Sequence, residues 1–241
     1  MAVYDQIANE YKKSRELPYT IYVGNYTYLQ LLGDVSGKSI LELACGAGEN
    51  ARILRKKGAT RVVGMDISEK MLDMAKQEET REPLGIEYQV QDVLTLGKHD
   101  EFDLVAAAYL LNYARTREEL LIMCRAIYVN LKVGGRFVSI SENFKIYPGK
   151  WEKYGITKCG LEPLQDGIPI TITLFGEDWK VSFENYCLSR NTYEWAFQQA
   201  GFRSFRWCNT QVSPEAIEKN GKEFWQNAIN YPIFDGIECV K

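Results

Sequence analysis

A short apolar run, Ser39-Ile-Leu-Glu-Leu43, leads straight into the glycine turn Ala44-Cys-Gly-Ala-Gly48, and a helix-period segment opens at Glu49. Strand, glycine turn and helix in that order place free backbone N–H groups of a helix N-terminus at the tip of a strand, where glycine lets a ligand approach closely. Twenty residues after Gly46 stands Asp66, directly behind a second β-branched run, Arg61-Val-Val-Gly-Met65. An acid at the tip of the neighbouring strand can accept both hydroxyls of a ribose. The spacing therefore predicts an adenosine-containing cofactor held at the strand ends of an α/β sheet.

The rest of the chain repeats the alternation. The first helix runs from about Glu49 to Lys57 and stops at Gly58. The second lies near Ser68–Glu79, with Ser68 as N-cap and Met71, Leu72 and Ala75 on its buried face. Strands are predicted at Ile86–Val90, Phe102–Ala107 and Arg136–Ile140. A long helix from about Thr116 to Leu131 precedes the last of these, closed by Lys132-Val-Gly-Gly135. This is the pattern of a mostly parallel sheet. The texture then changes: 18 aromatic residues, all five tryptophans among them, lie from Phe144 onward. Ile168–Leu174 and Trp179–Phe183 alternate with period two around a turn at 175–178, and Pro169 points to an edge strand. Residues 144–188 read as an insertion, part hairpin and part loop. Asn191-Thr-Tyr-Glu194 has capping-box spacing for a helix that ends at Gly201. Phe202–Cys208 is a further strand, Ser213-Pro214 starts a helix, and Gly236–Val240 is a final strand.

Composition excludes several classes. At 241 residues and 46% hydrophobic, the chain can bury a full core without disulfide or metal staples. Its net charge of −3 argues against a nucleic-acid binder and against a polybasic membrane contact. The longest apolar run, Leu104–Leu111, is far too short to span a bilayer, and the N-terminus shows no export signal. A cytoplasmic location is expected. The six cysteines, no two within 20 residues of each other, read as reduced, buried thiols. The one histidine, His99, sits in a polar turn, so neither a zinc site nor histidine catalysis is expected.

A nicotinamide dinucleotide and S-adenosylmethionine both suit the glycine turn, since Gly46-Ala-Gly48-Glu-Asn-Ala51 formally fits the dinucleotide fingerprint. Three features favour S-adenosylmethionine. Glu42, four residues before Gly46, suits an ammonium and would repel a pyrophosphate. Asp92, at the tip of the third strand, can accept from an adenine amino group while Val93 packs on the ring. The fourth strand runs into Ala108-Tyr-Leu-Leu-Asn-Tyr113, which brings aromatic and amide groups over the same pocket.

With Glu42-x-Ala44-x-Gly46-x-Gly48, Asp66, Asp92, Phe102-Asp-Leu-Val105 and Leu131-Lys-Val-Gly-Gly135, the sequence resembles class I S-adenosylmethionine-dependent methyltransferases over about 1–142 and 189–241. Alanine stands at 44 for the usual first glycine, and Val133 for the usual proline. Tyr4-Asp-Gln-Ile-Ala-x-x-Tyr11 resembles the cap helix of small-molecule members. A closer resemblance, in Tyr26-Thr, Gly33-Asp-Val35, Tyr109–Arg117, Leu188–Trp195 and Gly236–Cys239, is to the toxoflavin-synthase-like subgroup, some of whose members N-methylate an azapteridine.

The resemblance implies a Rossmann-like, seven-stranded, mostly parallel sheet with an antiparallel last strand, in one domain over 1–241. N-terminal cap helices occupy 1–36 and a lid occupies 144–188, after strand five. It implies S-adenosylmethionine as cofactor, leaving as S-adenosylhomocysteine. The expected cofactor residues are Tyr11, Arg15, Tyr19, Glu42, Ala44, Gly46, Gly48, Asp66, Ile67, Met71, Gln91, Asp92, Val93 and Ala108. Acceptor contacts are expected from Tyr109, Asn112, Asn143, Tyr147, Trp151 and Trp179, and a catalytic base from Glu142 or Tyr113. The expected reaction is in-line methyl transfer to a small heteroaromatic molecule, with nitrogen favoured over oxygen, and with no metal, nucleic acid, membrane or protein partner. A nicotinamide-dependent oxidoreductase is the first alternative, weakened because no Tyr-x-x-x-Lys unit follows strand five. A non-catalytic S-adenosylmethionine-binding protein is the second.

Overall fold

The computed structural model describes residues 3–143, 145–160 and 163–241; Phe144, where the insertion is predicted to begin, lies outside them. In chain order the strands are β1 (Ser39–Leu43), β2 (Arg61–Asp66), β3 (Glu87–Val90), β4 (Phe102–Ala108), β5 (Leu131–Glu142), β6 (Ile156–Gly160), β7 (Pro169–Phe175), β8 (Lys180–Tyr186), β9 (Ser204–Cys208) and β10 (Phe234–Val240). The helices are α1 (Val3–Ser14), α2 (Tyr26–Leu32), α3 (Glu49–Lys56), α4 (Glu69–Arg81), α5 (Arg117–Val129), α6 (Arg190–Ala200), α7 (Pro214–Asn220) and α8 (Gln226–Asn230), with a π-helical turn at Thr20–Asn25.

Seven strands form one sheet in the order β3-β2-β1-β4-β5-β10-β9. Its first five strands pair in parallel, and β10 is antiparallel to both β5 and β9. Strand order reverses between β1 and β4, which opens a crevice beyond their carboxyl ends. Alternate residues of β1 feed the cores on opposite faces. Ile40 belongs to one buried cluster, with Tyr28, Leu104 and Trp225, while Leu41 and Leu43 belong to the other, with Val105, Phe137 and the apolar residues of α5. Burial on both sides explains why these strands are apolar at nearly every position.

Local signals set the helix ends. Ser68 Oγ accepts from Met71 N, Thr116 Oγ1 from Glu119 N, and Ser213 Oγ from Ala216 N with Pro214 at the first turn. Gly201 closes α6 at φ +103°. His99 is exposed in its loop, whose backbone N–H groups at 99 and 100 donate to Asn130 Oδ1.

The structure differs from expectation in five places. The expected hairpin is present as β7 and β8, but a further strand, β6, joins it where a loop was expected, making a three-stranded antiparallel sheet. Pro169 therefore starts a central strand, as its first residue, where proline is tolerated. Ser189, and not Asn191, caps α6: its hydroxyl takes Thr192 N at 3.3 Å, while Asp166 takes Ser189 N at 2.5 Å. β5 already begins at Leu131, which pairs with Phe102; the ladder to β4 then shifts register, with Gly134 at φ +77°, before pairing resumes between Arg136 and Leu104. Cys159 is exposed on β6, outside the apolar interior expected for the thiols.

Candidate active site

The crevice is built on the turn after β1. Gly46 and Gly48 adopt φ +56° and +83°, and Gly48 is the N-cap of α3. Ala44 also lies in the left-handed region, at φ +52°, which disfavours a side chain by roughly 1–2 kcal/mol. Asp66 holds the turn from β2: its Oδ2 accepts from Gly46 N at 2.8 Å and its Oδ1 from Ser68 N at 2.9 Å. Burial raises its pKa, and the backbone donors at Ser68 and Gly46 oppose that shift. A carboxylate has about four lone-pair positions, and three backbone N–H groups, of Gly46, Ile67 and Ser68, act on this one, which leaves acceptor capacity for a ribose hydroxyl.

Glu42 lies under this turn, 1% exposed. Burial first, then Glu49, pushes its pKa up to about 8, against the opposing Arg15 guanidinium. Among the described residues, neither Glu42 Oε2 nor Asn50 Oδ1 has a hydrogen-bond partner. Arg15 comes from the end of α1 and donates to Asn25 Oδ1 at 3.0 Å. These orphaned acceptors, with a guanidinium opposite, complement a ligand carrying both an ammonium and a carboxylate.

Two chambers meet here. The first is lined by Ala44, Cys45, Gly46, Glu49, Asn50, Met71 and Ala108, with Tyr11, Lys12, Arg15 and Tyr109 at its border. The second takes in Tyr11, Arg15 and Tyr109 as well, and adds Tyr4, Tyr19, Phe183, Asn185, Phe234, Glu142 and an aliphatic wall from β6 and β7. Tyr109 therefore stands between them, and its φ of +61° is a genuine strain for an aromatic residue. Its backbone N donates to Ile140 O at 2.9 Å, and its ring meets Phe234 edge-on.

The structure brings Tyr11, Arg15, Ala44, Gly46, Met71 and Ala108 around the first chamber, with Glu42 and Gly48 as neighbours in the same turn. Tyr19 lines the second chamber instead. Asp92 caps the short turn at Val93–Thr95 by accepting from Leu94 N at 2.9 Å, and Gln91 Nε2 ties the same turn to Thr95. Val93 is buried beside it, and Ile67 is 51% exposed at the tip of β2, an apolar surface on which a planar ring can lie.

Glu142 lines the second chamber and pairs with Lys158 at 3.2 Å; the Lys158 side chain is fully buried and also donates to Asn143 O. Burial raises the Glu142 pKa and Lys158 lowers it. Tyr113 stands one step back, hydrogen-bonded to the Tyr4 hydroxyl, and burial pushes its phenol well above its usual range. Removing Lys158 would leave a buried carboxylate alone; Lys158→Met is expected to cost about 3–5 kcal/mol in denaturant unfolding, and under 1 kcal/mol would show that the pair is screened.

Other expected contacts lie elsewhere. Asn112 is buried, with neither amide atom partnered among the described residues, but lines neither chamber. Asn143 is engaged by Asp235 and Lys145 N. Trp151 is buried against Tyr147 and donates to Tyr231 O at 2.6 Å, and Trp179 sits at the outer turn between β7 and β8. Sequence reading missed Lys158 and Asn185. The available signal was a break in alternation: each is a polar residue on the inward-facing register of its strand, with Ile156 two before Lys158 and Phe183 two before Asn185.

Residues 40–135 match the family model described as a methyltransferase domain. A ubiquinone biosynthesis O-methyltransferase from Coxiella burnetii is 34% identical over 123 residues, 50% of this chain and 51% of that protein. The chain thus spans about half the length of the curated relatives it matches. An S-adenosylmethionine dependent methyltransferase from Mesorhizobium loti aligns with a TM-score of 0.67 at 19% identity, over 95% of this chain and 100% of that one. The DhpI–SAM–HEP complex aligns with a TM-score of 0.63 at 19% identity, over 98% of this chain and 93% of that one. The chain has the α/β Rossmann-like fold of class I S-adenosylmethionine-dependent methyltransferases, with its methyltransferase-domain match on residues 40–135.

Proposed function

We propose that this protein is an S-adenosylmethionine-dependent methyltransferase acting on a ring nitrogen of a small, flat heteroaromatic acceptor. The observation that carries the reading is the junction at Tyr109. On one side lie the orphaned Glu42 and Asn50 oxygens; on the other lies an aromatic chamber that ends in a carboxylate. The donor set fits the cofactor. Glu42 takes the ammonium, Arg15 the carboxylate, the remaining acceptor capacity of Asp66 a ribose hydroxyl, and Asp92 the adenine amino group, with Ile67 and Val93 against the ring. When bound, S-adenosylmethionine supplies a methyl group on an electrophilic sulfonium.

The chain's own residues contribute alignment, dryness and a proton acceptor. Tyr11 and Tyr109 border both chambers and keep water from the line between them. The aromatic walls hold the acceptor ring by its faces. Glu142, kept in place by Lys158, receives the ring N–H proton, so the nitrogen exchanges a proton for a methyl group. Tyr113, with its raised pKa, stays protonated and acts as a donor through Tyr4.

Nitrogen is favoured over oxygen by the resemblance to the toxoflavin-synthase-like subgroup. The O-methyltransferase relative weighs little against it, because its likeness covers 50% of this chain and 51% of that protein. Calorimetric titration tests the reading: S-adenosylhomocysteine is expected to bind at micromolar concentration and NADH not at all. The reverse result would reassign Asp66 to a dinucleotide ribose and end the methyltransferase reading.

A further inference from the structure

We propose that Asn25 is a positioning residue of the cofactor site: from the π-helical turn it aims the Arg15 guanidinium at the cofactor's carboxylate, and its neutrality leaves the charge of Arg15 to the ligand. The proposal rests on the methyltransferase reading, which puts that carboxylate beside Arg15.

The argument starts from the turn itself. A π-helical turn closes its hydrogen bonds around one extra residue; such turns are rare and gather at functional sites. This one, Thr20–Asn25, follows α1 and leads directly into α2. Three contacts fix where it lies. Thr20 Oγ1 donates to Ser14 O at 2.9 Å, which ties its start to the end of α1. Tyr22 O accepts from Ser213 N at 2.9 Å, which ties its middle to the N-cap of α7. Gly24 is buried against Tyr109, so closely that a Cβ at 24 would lie 3.1 Å from the Tyr109 hydroxyl. The turn is thus set against the junction of the two chambers.

The next residue is Asn25, and its Oδ1 accepts from Arg15 Nη2 at 3.0 Å. Arg15 borders both chambers, whereas Asn25 lines neither. The amide therefore stands behind the guanidinium and leaves the ligand's space free. Glu49 and Glu42 act on Arg15 through space, while the side-chain hydrogen bond goes to a neutral group. A guanidinium carries five N–H donors in a rigid fork. One bond to a neutral acceptor fixes its plane and leaves the other donors, with the full charge, for a carboxylate. Aspartate at 25 would fix the same plane, but it would pair with Arg15 as an ion and compete with the ligand.

The test compares two ligands by calorimetry. S-adenosylhomocysteine carries the amino-acid carboxylate; 5′-methylthioadenosine keeps the nucleoside and the sulfur and lacks it. The wild type is expected to bind S-adenosylhomocysteine more tightly. Asn25→Asp is expected to weaken S-adenosylhomocysteine about 10- to 100-fold and 5′-methylthioadenosine by about threefold or less. Asn25→Leu removes the aim without adding a charge, and a selective loss of about 3- to 10-fold is expected. In an Arg15→Met background neither substitution is expected to lower S-adenosylhomocysteine affinity by more than about twofold, because Asn25 acts through Arg15. Binding of 5′-methylthioadenosine reports that each variant is folded, and should Asn25→Asp not fold, Asn25→Leu carries the test. Equal losses for both ligands, unchanged S-adenosylhomocysteine affinity, or a loss that persists in Arg15→Met overturns the proposal. A wild type that binds the two ligands equally overturns it while leaving the methyltransferase reading in place. Failure of the wild type to bind either ligand overturns that reading and the proposal with it.

Discussion

Affinity for S-adenosylhomocysteine is expected to rise about tenfold per pH unit between pH 6 and about pH 8 and to level off above it, with Glu42 as the group responsible. Burial holds the folded Glu42 pKa at about 8, so the ligand-free protein carries it protonated at neutral pH. An ammonium beside it favours the carboxylate. Binding below pH 8 therefore expels a proton, and each unit of acidification makes that step tenfold harder. Calorimetry in buffers of different ionisation enthalpy is expected to find close to one proton released per ligand at pH 7. Glu42→Gln is expected to bind weakly at every pH and to lose the slope. A flat profile in the wild type would mean that Arg15, which faces the same carboxylate, already keeps it ionised. The same shift reverses the usual behaviour of an acidic residue in stability. Because the folded pKa lies above the unfolded one, the ligand-free protein loses stability as pH rises from about 4.5 to about 8, by at most roughly 5 kcal/mol.

Gly48→Ala is expected to lower the melting temperature by about 5–15 °C, from two separate penalties that total roughly 2–4 kcal/mol. The residue sits at φ +83°, where any side chain is strained. A Cβ there would also lie 2.3 Å from the Tyr88 hydroxyl and 2.9 Å from its Cζ. Tyr88 has little room to withdraw, since the ring already crosses Gly64, where a Cβ would meet it at 2.9 Å. Tyr88→Phe removes the nearest atom, so the double variant is expected to recover part of the loss. Thermal melts of the four proteins in that cycle separate the clash from the backbone strain. A drop below about 2 °C in Gly48→Ala would show that the turn relaxes. S-adenosylhomocysteine affinity is expected to fall as well, because Gly48 caps the helix whose N-terminus faces the first chamber.

The parallel half of the sheet was legible because its signals are local. β1 needs only five residues and the glycines behind it, and Ser68, Thr116 and Ser213 each announce their helix within four positions. β6 was not legible. Its central residue, Lys158, shares the inward register of Ile156, but what buries it there is a tertiary event: Glu142 and Asn143 O come to it from the end of β5. Ser189 outcompeted the Asn191 spacing because Asp166, across the insertion, holds its backbone N. The two chambers divide in the same way. The turn from Glu42 to Gly48 and the acid at 66 can be read from spacing. The walls of the second chamber combine α1, the end of β5 and the inserted sheet, and aromatic residues there say little about direction. Trp151 turned inward to Tyr231, whereas Phe183 turned to the chamber.

Tyr11 and Arg15, one helical turn apart near the end of α1, border both chambers at once. Asp5 fastens the other end of that helix to Ser68 Oγ at 2.6 Å. Whichever ligand arrives first and immobilises those two side chains leaves less to be ordered for the second. The two bindings are then thermodynamically coupled, and coupling is reciprocal: the factor by which the cofactor tightens the acceptor equals the factor by which the acceptor tightens the cofactor. The product nucleoside, still touching Tyr11 and Arg15, would hold the methylated acceptor by the same factor until one of the two departs.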